Sequence, residues 1–506
     1  MRRLATSVLA MSACALVMSC GGVDAPPPST AGVGLQAPNS PLVTLRVMVD
    51  AGSVDDPAGL NGLNALTAMM IGQGGTSELS YEQLTTALYP WAASISAQYD
   101  KEVTTIVGEV HRDHLEPFYE MFRDLIIAPR LDAADFERNR DYLTNAIVST
   151  LRGNDDEELG KQTLNALLYA GHPYEATEMG TERGLSAITL DDVRAFHAAR
   201  YTRDNLVVGV SGGYPDGFLD RIEIDLAVGL PMSETPRGAL PAPRALDGRE
   251  LLIVEKDAIA TAVSIGFPLD VTRADSDFYP LMVANSYFGE HRTFNGRLMN
   301  QMRGLRGLNY GDYSYIENFI QDGGSTFPAP NTPRQQQFFS IWIRPVPHHN
   351  AAFALRQAVR ELALLVEHGL SESDFEATRE YLMNYSTLYV QTGSRRLGYA
   401  LDSTFYGTGF FVDEIRDRLS AMAVEEVNAA ITRHLQADNL AIAVVTREAE
   451  VFRDALLSDE PSSVTYNTEV GADILAEDEA IKSYPLAINL DRVRIVPVDQ
   501  MFVDVQ

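Results

Sequence analysis

The chain has 506 residues, 45% hydrophobic and 22% charged, the balance of a globular protein rather than of a disordered or fibrous one. That length exceeds one ordinary domain and predicts two large domains or a duplicated unit. A formal net charge of −29 argues against a nucleic-acid partner and against attraction to anionic lipid through a polybasic surface.

Arg2 and Arg3 precede an apolar stretch from Leu4 to Met18 that is too short for a membrane span and reads as a signal peptide over residues 1–19. The stretch ends Val17-Met18-Ser19-Cys20, similar to a bacterial lipobox, in which Cys20 becomes the acylated first residue. Ordinary cleavage near Ala15 is the alternative. Cys14 and Cys20 are the only cysteines, so cleavage before Cys20 leaves no internal disulfide. The expectation is a lipid-anchored protein of the bacterial cell envelope, at the outer membrane and facing the periplasm. Residues 20–41, rich in proline from Pro26 to Pro41, read as a tether.

Leu42 to Val49 alternates as a strand, and Ala93–Tyr99 with Glu102–Val110 reads as two strands about a turn at Asp100-Lys101. Leu115, Phe118, Phe122, Leu125 and Ile126 share one helical face, with Pro117 near its start. A proline-rich break at 229–248 separates a domain at 42–228 from one at 249–460, and residues 461–506 read as a surface extension. The second half repeats the order of the first: strand Thr261–Phe267, helices within Asp277–Arg303, strand Gln337–Arg344, helix Ala351–Glu367.

The two halves also match in sequence. LDAADFERNRDYL (Leu131 to Leu143) parallels LSESDFEATREYL (Leu370 to Leu382), and Ala187 to Leu206 parallels Ala421 to Leu440 at a nearly constant offset. This is a duplicated domain rather than a solenoid. The predicted fold class is α+β: two tandem homologous units, each an antiparallel-rich sheet with helices packed on one face.

Three motifs in order carry a family resemblance. Ala51-Gly52-Ser53-Val54-Asp55-Asp56-Pro57 with Gly62-Leu63, then His172-Pro173-Tyr174, then Arg303-Gly304-Leu305-Arg306-Gly307-Leu308-Asn309-Tyr310, together with the duplication, resemble the pitrilysin/insulinase metallopeptidases over about residues 42 to 448. The family usually has Glu where Gly304 stands. Its inverted zinc motif, His-x-x-Glu-His, sets two imidazoles one helical turn apart on one metal with a Glu acting on the bound water. The resemblance places those positions at Ala65, Ala68 and Met69, none of which is a zinc ligand or a base. The region of the family's third ligand, Asn145 to Ser149, carries no carboxylate. No cofactor is therefore expected in this chain.

The other acid and histidine clusters do not supply a displaced site. Glu290-His291 and Glu367-His368 have Tyr287 and Leu364 where the first His is needed. His111 and His114 are three apart without a further partner, His348-His349 reads as surface, Asp155 to Glu158 as a solvated helix start, and His172 as a structural turn. Arg303 and Tyr310 are kept while the metal residues are not. The resemblance implies that they hold the substrate backbone and the tetrahedral intermediate, one as a planar cation and one as a neutral donor. Helix capping by Arg303 and strand packing by Tyr310 is the plainer alternative.

Some bacterial members divide the work, one subunit carrying His-x-x-Glu-His and another the Arg and Tyr. The resemblance thus implies a non-catalytic, substrate-positioning subunit of a two-component zinc peptidase acting on peptides, with zinc in the partner. A catalytically inactive binding or scaffold lipoprotein is the rival, and a lone active peptidase comes third.

Overall fold

The computed structural model describes residues 32–233, 237–321, 325–458 and 460–505, so the expected leader and Cys20 lie outside the described residues. The first half runs β1 (Val33–Gln36), β2 (Leu42–Val49), α1 (Leu63–Gly74), α2 (Tyr81–Leu88), β3 (Ser94–Tyr99), β4 (Thr104–His111), α3 (Leu115–Ile127), α4 (Ala133–Asn145), α5 (Asp156–Leu168), α6 (Glu182–Ala187), α7 (Leu190–Arg200), β5 (Leu206–Gly212) and α8 (Phe218–Gly229). The second runs β6 (Arg249–Glu255), β7 (Thr261–Leu269), α9 (Phe278–Gly289), β8 (Asp312–Tyr315), β9 (Gln337–Val346), α10 (His348–His368), α11 (Glu372–Tyr385), α12 (Gly393–Tyr406), α13 (Phe411–Ala421), α14 (Val424–His434) and β10 (Ala441–Thr446). It ends with α15 (Ala449–Leu457), α16 (Ala472–Lys482) and β11 (Ile488–Pro497).

The sheets have the orders β1-β5-β2-β4-β3 and β11-β6-β10-β7-β9-β8. Mapping β1 through β5 onto β6 through β10 superposes the two orders, with the first strand of each set parallel to its neighbour and the remaining pairs antiparallel. The two copies of the repeated motif are α4 and α11. Each starts on a side-chain cap, Asp132 accepting from the Ala134 amide at 2.9 Å and Ser371 from the Asp374 amide at 3.2 Å, and each buries the equivalent pair Phe136 and Leu143 or Phe375 and Leu382.

The central strands of each sheet are buried on both faces. In β2, Val43, Leu45, Val47 and Val49 meet the helices of their own half, while Arg46 and Met48 on the other face meet α12 of the second half. The exchange is reciprocal, because α5 of the first half lies on β7 and β10 of the second. Strands covered on both faces are apolar nearly throughout, as β10 is.

Three connecting segments are tied closely to the fold. The tether does not run unpaired to Pro41, because Val33–Gln36 adds to the sheet beside β5. The 229–248 break is bonded in place: Arg237 pairs with Asp50 and Asp55, and Arg244 with Glu250 at 2.6 Å. Residues 461–506 form an ordered, largely exposed extension that also adds an edge strand, with β11 parallel to β6 and the carbonyls of Phe502 and Val503 accepting from the amides of Glu182 and Arg183 at 3.1 and 2.9 Å.

Candidate functional site

α1 is preceded by its N-cap Gly62, whose φ of +107° only glycine takes readily, and whose added Cβ would lie 2.8 Å from the Met179 carbonyl oxygen. The first-turn amides are capped from outside the helix: the Asp56 carboxylate accepts from Gly62 N and Asn64 N, both at 2.7 Å. Burial raises the Asp56 pKa to about 7 in spite of these bonds. The helix is apolar around its circumference and almost wholly buried.

Ala65, Ala68 and Met69 therefore sit inside the core of the first half. α4 packs across α1, with the Asn139 amide 3.4 Å from the Met70 sulfur, and leads into a π-helical segment, Ala146–Asn154, where the third ligand would arise. The region still offers no carboxylate between 145 and 149. The residues present do not fit a zinc ion: two methyls and a thioether provide neither a hard ligand nor a base for a bound water. Among the described residues no three His, Cys, Asp or Glu side chains converge as a cation-holding group.

Arg303 and Tyr310 lie on the second half and are brought together by one π-helical turn, Met299–Gly304, and the loop before β8. The Arg303 guanidinium carbon stands 5.2 Å from the Tyr310 ring centroid and 5.2 Å from that of Phe294, so a planar cation is held by two aromatic faces. No carboxylate pairs with it among the described residues. Tyr310 is 72% exposed and lies outside any strand. The Arg344 guanidinium carbon is 5.6 Å from the same ring, and Arg344 bonds Glu157 of α5 at 3.0 Å, tying this cluster to the first half. Neither Phe294 nor Arg344 was singled out in the sequence.

The turn between β3 and β4 carries a buried charge cluster that the sequence reading also passed over. Arg334, in the long β8–β9 loop of the second half, bonds both Asp100 oxygens at 2.6 and 2.9 Å and Glu178 at 3.0 Å. Lys101 pairs with Glu178 at 3.2 Å, and the Glu102 carboxylate accepts from the Gln335 amide at 2.6 Å and from the Tyr174 hydroxyl. Burial raises the pKa of Asp100 and of Glu102 and lowers that of Lys101. The signal available was three consecutive charges between two apolar strands.

The remaining histidines have local roles. His172 Nδ1 accepts from the Tyr174 amide at 3.0 Å while Nε2 lies 2.9 Å from the Pro241 carbonyl, the structural turn expected. His111 Nδ1 accepts from the Asp113 amide at 3.3 Å, and the His114 ring stacks on Trp91 at 5.2 Å. His348 is not plain surface: its Nδ1 is 2.8 Å from the Thr261 hydroxyl and its Nε2 accepts from Arg447 at 2.7 Å. Asp155 caps α5, but Glu157 behind it is engaged by Lys161 at 3.0 Å and by Arg344, so this acidic run is only partly solvated. Glu290 and His291 line cavities within the second half.

Two homologous α+β units, each sheet covered by a helix of the other, with an apolar, buried α1 in the first and an Arg/Tyr cluster in the second, define a duplicated peptidase-like protein. Residues 33–182 match the family described as Insulinase (Peptidase family M16), and residues 187–382 match the Peptidase M16 inactive domain. The chain belongs to the insulinase family. It is 22% identical to the uncharacterized zinc protease YmxG of Bacillus subtilis, covering 82% of this chain and 96% of that one. It is 23% identical to the non-peptidase homolog YmxG of Helicobacter pylori, covering 78% and 87%. A mitochondrial-processing peptidase subunit beta of Lentinula edodes matches at 24% over 50% of this chain and 54% of its own. Among solved structures, the fold is similar to a peptidase M16 inactive domain from Pseudomonas fluorescens (TM-score 0.72, 20% identity, 82% of this chain and 96% of that one) and to a protease from Helicobacter pylori (TM-score 0.70, 14%, 82% and 96%).

Proposed function

We propose that this chain is the non-catalytic, substrate-positioning subunit of a two-component zinc peptidase that cleaves peptides in the cell envelope. The observation that carries the reading is the Arg303 guanidinium, held between Phe294 and Tyr310 without a carboxylate, in a chain whose own metal positions are Ala65, Ala68 and Met69. A cation oriented by stacking keeps its N–H edges for a ligand, the requirement for stabilising developing negative charge. The partner supplies His-x-x-Glu-His and the zinc. β3 offers a place for the peptide: it ends the first sheet, bonds only β4 within it, and exposes Ser94 and Ser96, whereas the matching edge strand β8 is buried along its length. Anchoring is through acylated Cys20, and an unmodified N-terminus by mass spectrometry on protein recovered from membranes would remove that part.

Mixing the purified chain with a family member that bears the zinc motif tests the reading. Peptide hydrolysis by the mixture and by neither protein alone supports it. Stable assembly without hydrolysis favours the rival, an inactive scaffold, for which the full packing of α1 speaks.

A further inference from the structure

Beside Arg303 lies a groove that the motifs did not reveal. It runs between the end of α9 with the loop after it and α11, encloses about 520 Å³, and is walled by Tyr287, Thr293, Phe294, Tyr381 and Tyr385. That volume suits one side chain and its neighbouring main chain. The Tyr381 and Tyr385 rings stack at 5.0 Å, and the Tyr385 hydroxyl is tied to the Thr326 hydroxyl at 2.5 Å, so the aromatic wall is fixed in place.

Two further observations point to a ligand. His291, only 2% exposed, also lines the groove; its Nδ1 is 2.6 Å from the Tyr315 hydroxyl and its Nε2 has no partner. Burial, with the charges of Arg292, Lys161 and Arg344, lowers its pKa to about 3, so the ring is neutral and keeps one buried polar atom unsatisfied at the groove wall. At the rim, Phe294 is both a groove wall and one face of the Arg303 stack. The apolar surface continues outward through Phe294 (68% exposed), Leu305 (41%) and Tyr310.

We infer that this groove is a specificity site for a peptide segment bearing an aromatic side chain close to one carboxylate. The aromatic ring packs on Tyr381 and Tyr385 with offset or edge geometry, and the carboxylate takes one of the two N–H edges of Arg303, leaving the other for the oxygen that the proposed function assigns to it. A chain carrying −29 repels a polyacidic segment, so a single carboxylate fits better than an acidic run. The inference deepens the reading above and rests on it for the peptide's fate, but binding needs no partner subunit.

Fluorescence anisotropy of the full purified chain with a fluorescein-labelled Gly-Ala-Phe-Ala-Asp-Ala-Gly peptide tests it. Saturable binding is expected, weakened about 10- to 100-fold when the probe's Asp is replaced by Asn, the worth of a charged hydrogen bond. Thr378→Trp, which fills the groove from α11, and Phe294→Ala, at an exposed ring, should each weaken binding similarly with an unchanged melting temperature. Absence of saturable binding, or binding that both variants leave intact, overturns the inference. A failed reconstitution with a zinc subunit leaves it standing, and full activity with unbound probe sinks it alone.

Discussion

Arg334 of the second half and Asp100 of the first form a two-pronged ion pair, 2.6 and 2.9 Å, with both side chains almost completely buried. The pair closes the joint between the halves where the β8–β9 loop meets the β3–β4 turn. Arg334→Met would leave Asp100 without its cation and Glu178 with Lys101 alone, and should cost about 3–5 kcal/mol, the range for one partner lost from a buried pair. Adding Asp100→Asn to that variant should recover part of the loss. Urea denaturation of the single and double variants measures both, and strictly additive effects would show that the two side chains are not coupled.

Stability should fall as pH rises toward the alkaline side of neutrality. Burial raises Asp56 and Glu290 to about 7 and Asp312 to about 8, each above its unfolded value of 3.8 or 4.5. The native state therefore holds these protons more tightly than the unfolded chain. Their contribution is fully present below about pH 4 and is lost as pH climbs through 7 to 8. Asp312→Asn keeps an acceptor for the Asn309 amide, bonded now at 2.7 Å, and removes the charge. Melting temperatures between pH 5 and 8 should decline less steeply in this variant than in the wild type. An identical slope would mean that Asp312 does not titrate in that window.

Metal content should follow from α1. With Ala65, Ala68 and Met69 in the core, the purified chain should carry no stoichiometric zinc and should not hydrolyse peptides by itself. Elemental analysis finding about one zinc per chain, lost in a His111→Ala, His114→Ala variant, would instead place a site at those two residues.

Much of the scaffold was legible because its periodicity is local. β2 alternates, α3 shows one apolar face, and the α4 and α11 repeats keep Phe and Leu at identical spacing, so the duplication could be read by eye. Pairings distant in sequence were not legible. Val33–Gln36 is four residues long and finds its partner at Gly209 to Gly212, and nothing in a proline-rich segment announces that. Arg334 and Asp100 are 234 residues apart. The exchange of α5 and α12 between the sheets leaves no trace in either helix, each of which mixes charged and apolar residues as an ordinary surface helix does. At the candidate site, Arg303 and Tyr310 were found by motif, but Phe294 was not, because the irregular backbone between it and Arg303 has no period that would bring the ring to the guanidinium.

Steady-state turnover of the reconstituted pair with Arg303→Ala tests the substrate-positioning role most directly. The variant should assemble with the zinc subunit and melt as the wild type does, yet lose about 100- to 1,000-fold in kcat, the usual effect of removing a donor aimed at a developing oxyanion. Tyr310→Phe, which keeps the ring against Arg303, should lose less. Wild-type turnover from a normally assembled Arg303→Ala pair would contradict the proposed role and leave the chain a scaffold.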